Sequence, residues 1–138
     1  MIKEKSCGAV VYKIEENQIY ILIEKMQRGH YSIPKGHVEN GETEVETALR
    51  EIKEETNLEV DIDTNFREVV SYSPYKGCIK DVIFFVAKAK TFNLINQEIE
   101  VNSLLWLKPI EAIDILTFVS DKEVLKKALN YLGVKEYE

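Results

Sequence analysis

Glu51, Glu54 and Glu55 stand at i, i+3 and i+4 in the stretch Arg50-Glu-Ile-Lys-Glu-Glu55. On a helix this spacing gathers three carboxylates on one face. Adjacent carboxylates repel one another unless a cation lies between them. Hard carboxylate oxygens suit Mg²⁺, Mn²⁺ or Ca²⁺. Such a cluster is equipment for phosphoryl transfer to water, because a bound divalent ion neutralises phosphate oxygens and activates a water. The competing interpretation is a solvated acidic helix whose acids are supported by Arg50 and Lys53 through i,i+4 pairs.

The surrounding residues must position that face. Val45, Ala48, Leu49 and Ile52 follow the helical period on a different face, so the helix is expected to carry an apolar side for a core and an acidic side for a ligand. Thr43-Glu-Val-Glu46 fits a capping box that starts the helix, and Thr56-Asn57 ends it. Gly36 and Gly41 lie in the approach, where the chain turns sharply or comes close to another group. Before them, Ser6–Ile14 and Ile19–Met26 read as two strands joined by a turn at Glu15–Gln18, and Gln27–Lys35 reads as a loop closed by Pro34. After the helix, Glu59–Tyr72 alternates as one or two short strands, and Ser73–Gly77 is turn chemistry. Asp81–Lys90 reads as a strand buried on both faces, Thr91–Glu100 as a loop and Leu104–Leu107 as a short strand. Pro109–Ile115 starts as a short helix. Ser120-Asp-Lys-Glu123 reads as a second capping box, opening a helix that presents Val124, Leu125, Ala128, Leu129 and Leu132 and is capped by Gly133. Mixed strands with a central and a terminal helix imply an α/β fold with helices covering a mixed sheet.

The 138 residues, 45% hydrophobic and 30% charged, suit one domain, 1–138, with a sizeable core. A net charge of −6 argues against bulk attraction to nucleic acid or to anionic membrane, and no apolar run approaches a membrane span. The N-terminus has no signal-peptide pattern, so a cytoplasmic protein is expected, with no obligate protein partner. Cys7 and Cys78 lie in apolar runs without metal-type spacing and read as buried free thiols.

The central stretch resembles the Nudix box: Gly, five residues, Glu, seven residues, Arg-Glu, an apolar residue, any residue, Glu-Glu, any residue, Gly, an apolar residue. Gly36, Glu42, Arg50, Glu51, Ile52, Glu54, Glu55 and Leu58 fall in register. Asn57 replaces the last glycine, and Asn is the next most tolerant residue at a left-handed helix end. The resemblance implies an α/β/α sandwich that hydrolyses a nucleoside diphosphate linked to another group with Mg²⁺ or Mn²⁺. It implies metal binding by Glu51, Glu54, Glu55 and the Lys35 carbonyl. It also implies that Arg50 orients a glutamate, that Glu42 either braces the loop or touches metal, and that the base is one of the box glutamates or a Glu beyond it.

His30–Glu39, Glu46–Glu51, Lys80–Phe85 and the separation of Glu100 from Trp106 resemble the asymmetric diadenosine tetraphosphate hydrolases. That implies cleavage of a dinucleoside polyphosphate to ATP and AMP. The alternatives are removal of pyrophosphate from oxidised nucleoside triphosphates, RNA 5′ ends or another nucleotide derivative, and a non-catalytic nucleotide-sensing module. Glu98 and Glu100 are both candidates for the carboxylate beyond the box, and the spacing to Trp106 favours Glu100 alongside Glu54. Tyr72, Tyr75 and Phe118 are candidate platforms for a base. Lys35, Lys80 and His30 are candidate phosphate contacts, and His37 has no derivable role. For Phe118 the competing assignment is a core residue, for Tyr75 a turn residue and for His30 a surface imidazole.

Overall fold

The computed structural model describes residues 1–135; the last three residues of the expected domain lie outside the described residues. Strands β1 (Ile2–Glu15) and β2 (Gln18–Met26) form the first hairpin. Its two turn residues, Glu16 (φ 51°) and Asn17 (φ 65°), are both left-handed, the turn whose twist matches that of paired strands. Then follow β3 (Tyr31–Ser32), β4 (Lys35–His37), α1 (Glu44–Thr56), β5 (Val60–Tyr72), β6 (Cys78–Ala89), β7 (Val101–Leu107), α2 (Pro109–Ile115) and α3 (Val119–Tyr131).

The sheet runs β3-β2-β1-β6-β5, with β4 added to β1 and β7 to β2. Among the described residues only β1 and β6 pair in parallel. Side chains alternate across this sheet with period two. Cys7, Ala9 and Val11 of β1 and Ile83, Phe85 and Ala87 of β6 face α1, which covers them with Ala48 and Ile52. Val10 and the β6 residues Val82, Phe84 and Val86 face the other way, under Ala112 of α2 and Leu125 and Leu129 of α3. Both faces are therefore dry, and the mixed sheet flanked by helices is the expected α/β/α sandwich. Cys7 and Cys78 are buried free thiols, and among the described residues no helix is long and apolar enough to cross a membrane.

Several boundaries differ from the sequence expectation. The loop up to Lys35 contains β3 and leads into β4, because these short segments add to the edges of β2 and β1. Gly8 permits that addition: a Cβ there would run into the Pro34 carbonyl and Lys35. Of the one or two short strands expected after α1, residues 60–72 form one, longer than expected, with an interrupted register between Asp63 and Glu68. The β7 strand reaches back to Val101.

Helix α3 starts at Val119, and its N-cap Phe118 makes no side-chain cap bond. The Ser120–Glu123 box does not form. Thr117 fixes the helix entry instead, donating its amide to the Tyr31 carbonyl at 3.2 Å and accepting the Tyr31 amide on Oγ1 at 2.8 Å. Gly133 (φ 77°) does end the helix, with the Val134 amide bonded to the Leu129 carbonyl.

Helix α1 matches its capping chemistry. The Glu46 amide donates to Thr43 Oγ1 at 3.1 Å, and the Thr43 amide donates to Glu46 Oε1 at 2.9 Å. Asn57 is left-handed (φ 72°), with its amide bonded to the Lys53 carbonyl. The expected separation of faces fails at two positions. Leu49 is exposed, while Ala48, Ile52, Glu55 and Thr56 form the buried stripe at i, i+4, i+7 and i+8. One of the three clustered acids therefore belongs to the core side.

Asn57→Gly is expected to be neutral or slightly stabilising, and Asn57→Val to cost about 1–2 kcal/mol for forcing a β-branched residue into the left-handed region. Denaturant melts check this, and equal stability of the two variants would contradict the helix end described.

Candidate active site

The approach loop meets α1 through Arg50. Its Nε donates to Glu42 Oε2 at 2.6 Å, and its Nη2 donates to Glu42 Oε1 at 3.0 Å and to the His37 carbonyl at 2.9 Å. Its Nη1 donates to Glu51 Oε1 at 2.8 Å and to Glu54 Oε2 at 3.2 Å, and lies 3.4 Å from Glu39. One planar fork thus ties the loop to the acidic face.

Glu42 also accepts the Glu39 amide at 2.9 Å and the Thr47 hydroxyl at 2.8 Å, so its oxygens are committed to bracing the loop. The bonds from Arg50, then that from the Glu39 amide, hold its carboxyl down at about 2. Gly41 (φ 86°) makes the turn. Gly36 passes so close to Glu51 that a Cβ would overlap the carboxylate. The role expected for the box glycine, close approach, is therefore toward one of the acids.

Glu55 is 6% exposed and packs against Glu24 of β2, which is 1% exposed. Burial pushes both carboxyls upward, and for Glu55 the neighbouring Glu24 pushes further. Glu24 Oε1 and Glu55 Oε2 have no hydrogen-bond partner among the described residues. Unpartnered buried carboxylate oxygens beside Glu51 fit a hard divalent cation, which such oxygens coordinate. As the side chains stand, no three His, Cys, Asp or Glu residues among those described converge at metal distance, and Arg50 Nη1 bridges Glu51 and Glu54.

Glu24 went unnoticed in the sequence. It follows Leu22 by two residues, so strand alternation aims it at α1, and an acid inside the run Ile19–Glu24 was the available signal.

A cavity of about 500 Å³ opens over this cluster. Glu51, Glu54 and Glu55 line it from α1, and Glu98 and Glu100 from the loop before β7. The two loop acids stand two residues apart and face the same space. Burial first, and then Glu100 with Glu54 and Glu51, pushes the Glu98 carboxyl up. Lys35, His37 and Lys80 line the same cavity. Neither lysine has a salt-bridge partner among the described residues. Burial, then the neighbouring Lys35, pulls the Lys80 ammonium down. Two unpaired ammonium groups in an otherwise acidic cavity suit a polyanion bridging to metal.

Beside it lies a second cavity of about 230 Å³ that shares Lys35. Tyr72 and Phe118 line it with Val70, Val82 and Phe84. Phe118 is 52% exposed, so it is not a core residue. His30 lies against Phe118, ring centroids 5.8 Å apart, but lines neither cavity. Tyr75 is not brought in: it is exposed on the β5–β6 turn, with its hydroxyl 3.5 Å from Glu4. Ser120 and Asp121 line the second cavity, a position hidden by the capping role expected for Ser120.

The family model described as the NUDIX domain matches residues 5–129. The bis(5′-nucleosyl)-tetraphosphatase [asymmetrical] of Mus musculus is 31% identical, covering 93% of this chain and 95% of that protein. The namesake protein of Caenorhabditis elegans is 29% identical, covering 94% and 96%. The crystal structure of a C. elegans Ap4A hydrolase binary complex superposes with a TM-score of 0.85 at 29% identity, over 94% of this chain and 98% of that one. The NUDIX domain of Shewanella oneidensis NrtR, at 14% identity and a TM-score of 0.79, shares the fold. Together with the glutamate helix, its Arg50 brace and the glycine that grazes Glu51, these matches make the chain a member of the Nudix hydrolase family.

Proposed function

We propose that this protein uses a divalent ion, Mg²⁺ or Mn²⁺, to hydrolyse a nucleotide phosphoanhydride, and that its preferred reaction is asymmetric cleavage of diadenosine tetraphosphate to ATP and AMP. The observation that carries the reading is the junction at Lys35 of two cavities, one acidic with unpaired lysines and one walled by aromatic rings. A polyphosphate bearing a base at its end matches both. The likeness to proteins named for asymmetric tetraphosphate cleavage, spanning nearly the whole chain, supports the same substrate.

Glu51, Glu54, Glu55 and Glu100, with the Lys35 carbonyl, would hold the ion, which supplies charge neutralisation on phosphate and a more acidic water. Lys35 and Lys80 position the phosphates, and Tyr72 and Phe118 stack a base. Arg50 fixes the orientation of Glu51 and Glu54. Glu100 takes the proton of the attacking water as the new phosphorus–oxygen bond forms and the anhydride bond breaks, with the leaving phosphate oxygen keeping the electron pair. His30 lies against Phe118 outside both cavities and is assigned no role in the reaction. The buried free thiols agree with a reducing compartment such as the cytoplasm.

Three measurements test this. Chromatography of the products from diadenosine tetraphosphate is expected to give equal ATP and AMP; ADP alone, or a strong preference for oxidised guanine triphosphates in a substrate panel, would refute it. Glu54→Gln is expected to lose most turnover while the metal-free melting temperature does not fall, since one charge leaves a repulsive group; full activity would remove Glu54 from the site. For the base, turnover of Glu98→Gln and Glu100→Gln across pH at saturating Mg²⁺ separates the candidates. Glu100→Gln should lose on the order of 10²-fold or more, and Glu98→Gln only a few-fold. The reverse pattern moves the role to Glu98, and two near-normal variants return it to the helix.

A further inference from the structure

Asp121 lies in the first turn of α3 and is 7% exposed, yet it has no hydrogen bond or salt bridge among the described residues. An acid at that position ordinarily reaches back to the amide of the N-cap residue. Here the N-cap Phe118 receives no such bond, and the Asp121 carboxyl lines the second cavity. Burial raises this carboxyl above the ordinary aspartate range, against the pull of Lys35 and His30. The Asp121 carboxyl is thus largely withdrawn from water, has no donor from the protein and opens only onto this cavity, where a ligand can supply one.

The rest of the cavity describes that ligand. Tyr72 and Phe118 offer partly exposed rings over the apolar side chains of Val70, Val82 and Phe84, the surroundings of a flat aromatic group. The volume of about 230 Å³ is below the roughly 300–1,000 Å³ of pockets that take whole drug-sized ligands, so it suits a base rather than a nucleotide. Lys35 opens the way to the phosphate cavity. The carboxyl is the one acidic group among the residues that line this cavity, and it asks for an N–H on the edge of the ring.

We propose that Asp121 is a specificity-determining residue: its carboxyl accepts a hydrogen bond from the 6-amino group of an adenine held between Tyr72 and Phe118. Hypoxanthine, with a carbonyl oxygen in that place, sets acceptor against acceptor and is disfavoured. The inference rests on the dinucleotide reading of the site.

The test compares kcat/KM for diadenosine tetraphosphate and its diinosine counterpart in wild type, Asp121→Asn and Asp121→Leu. Wild type is expected to favour adenine on the order of 10–100-fold, the discrimination of one well-made base contact. Asp121→Asn keeps most of that ratio, because its amide oxygen accepts the same bond. Asp121→Leu brings the ratio close to one, with the loss appearing in KM for the adenine substrate. A residue with a merely structural role would change the melting temperature and leave the ratio where it was; that result, or a wild type without preference, overturns the proposal. If wild type hydrolyses neither dinucleotide, the proposed activity fails and the base contact is decided separately by equilibrium binding of AMP and IMP to the same proteins. The same ordering then supports it, and equal affinities overturn it.

Discussion

Holding negative charge together is the constraint on which this structure depends. Glu39, Glu42, Glu51 and Glu54 all reach one guanidinium, that of Arg50. A lysine would not replace it, because a point charge on a flexible stem cannot serve carboxylates from the loop and the helix in fixed directions while also bonding the His37 carbonyl. The glycine at 36, the committed oxygens of Glu42 and the capping box at Thr43 all keep that fork in register with the helix.

The pair Glu24 and Glu55 goes further, placing two acids under the helix where apolar packing was available. An incompletely satisfied polar pair is worse for stability than a hydrophobic filling. Its neighbours Ala48, Ile52, Leu22 and Phe85 are ordinary core residues, so the departure is local. Rule-breaking confined to one spot in an otherwise consistent fold marks where folding and function make opposing demands.

What the sequence made legible was what local chemistry decides. The ends of α1 follow from Thr43, Glu46 and Asn57, groups within one turn of the backbone they satisfy. The hairpin at Glu16–Asn17, the helix at Pro109 and the glutamate cluster are equally local. Glu24 and Asp121 were missed because their burial comes from elements distant in the chain: α1 over β2, and β5 with β6 beside the start of α3. Leu49 was misassigned because apolar character says nothing about which way a helix rolls on its sheet, and the burial of Glu55 shows that it rolls toward the acid. The start of α3 moved because Thr117 is bonded to Tyr31, a tie that no pattern within residues 117–123 reveals.

The parallel pairing of β1 with β6 has a consequence for how the molecule comes into being. Ile2 pairs with Cys78 and Tyr12 with Lys88, so the first strand made waits for one from the second half of the chain. Connections of such high sequence separation are slow to close, and synthesis proceeds from the N-terminus. As the nascent chain leaves the ribosome, the β1–β2 hairpin and α1 emerge without the strand that completes their floor. Until Ala89 is out, nothing covers the apolar edge of β1, and the acids of α1 remain in water. The acidic face of α1 is therefore made well before the floor beneath it is complete, which leaves the half-made chain unable to confine those charges before it has a core to hold them.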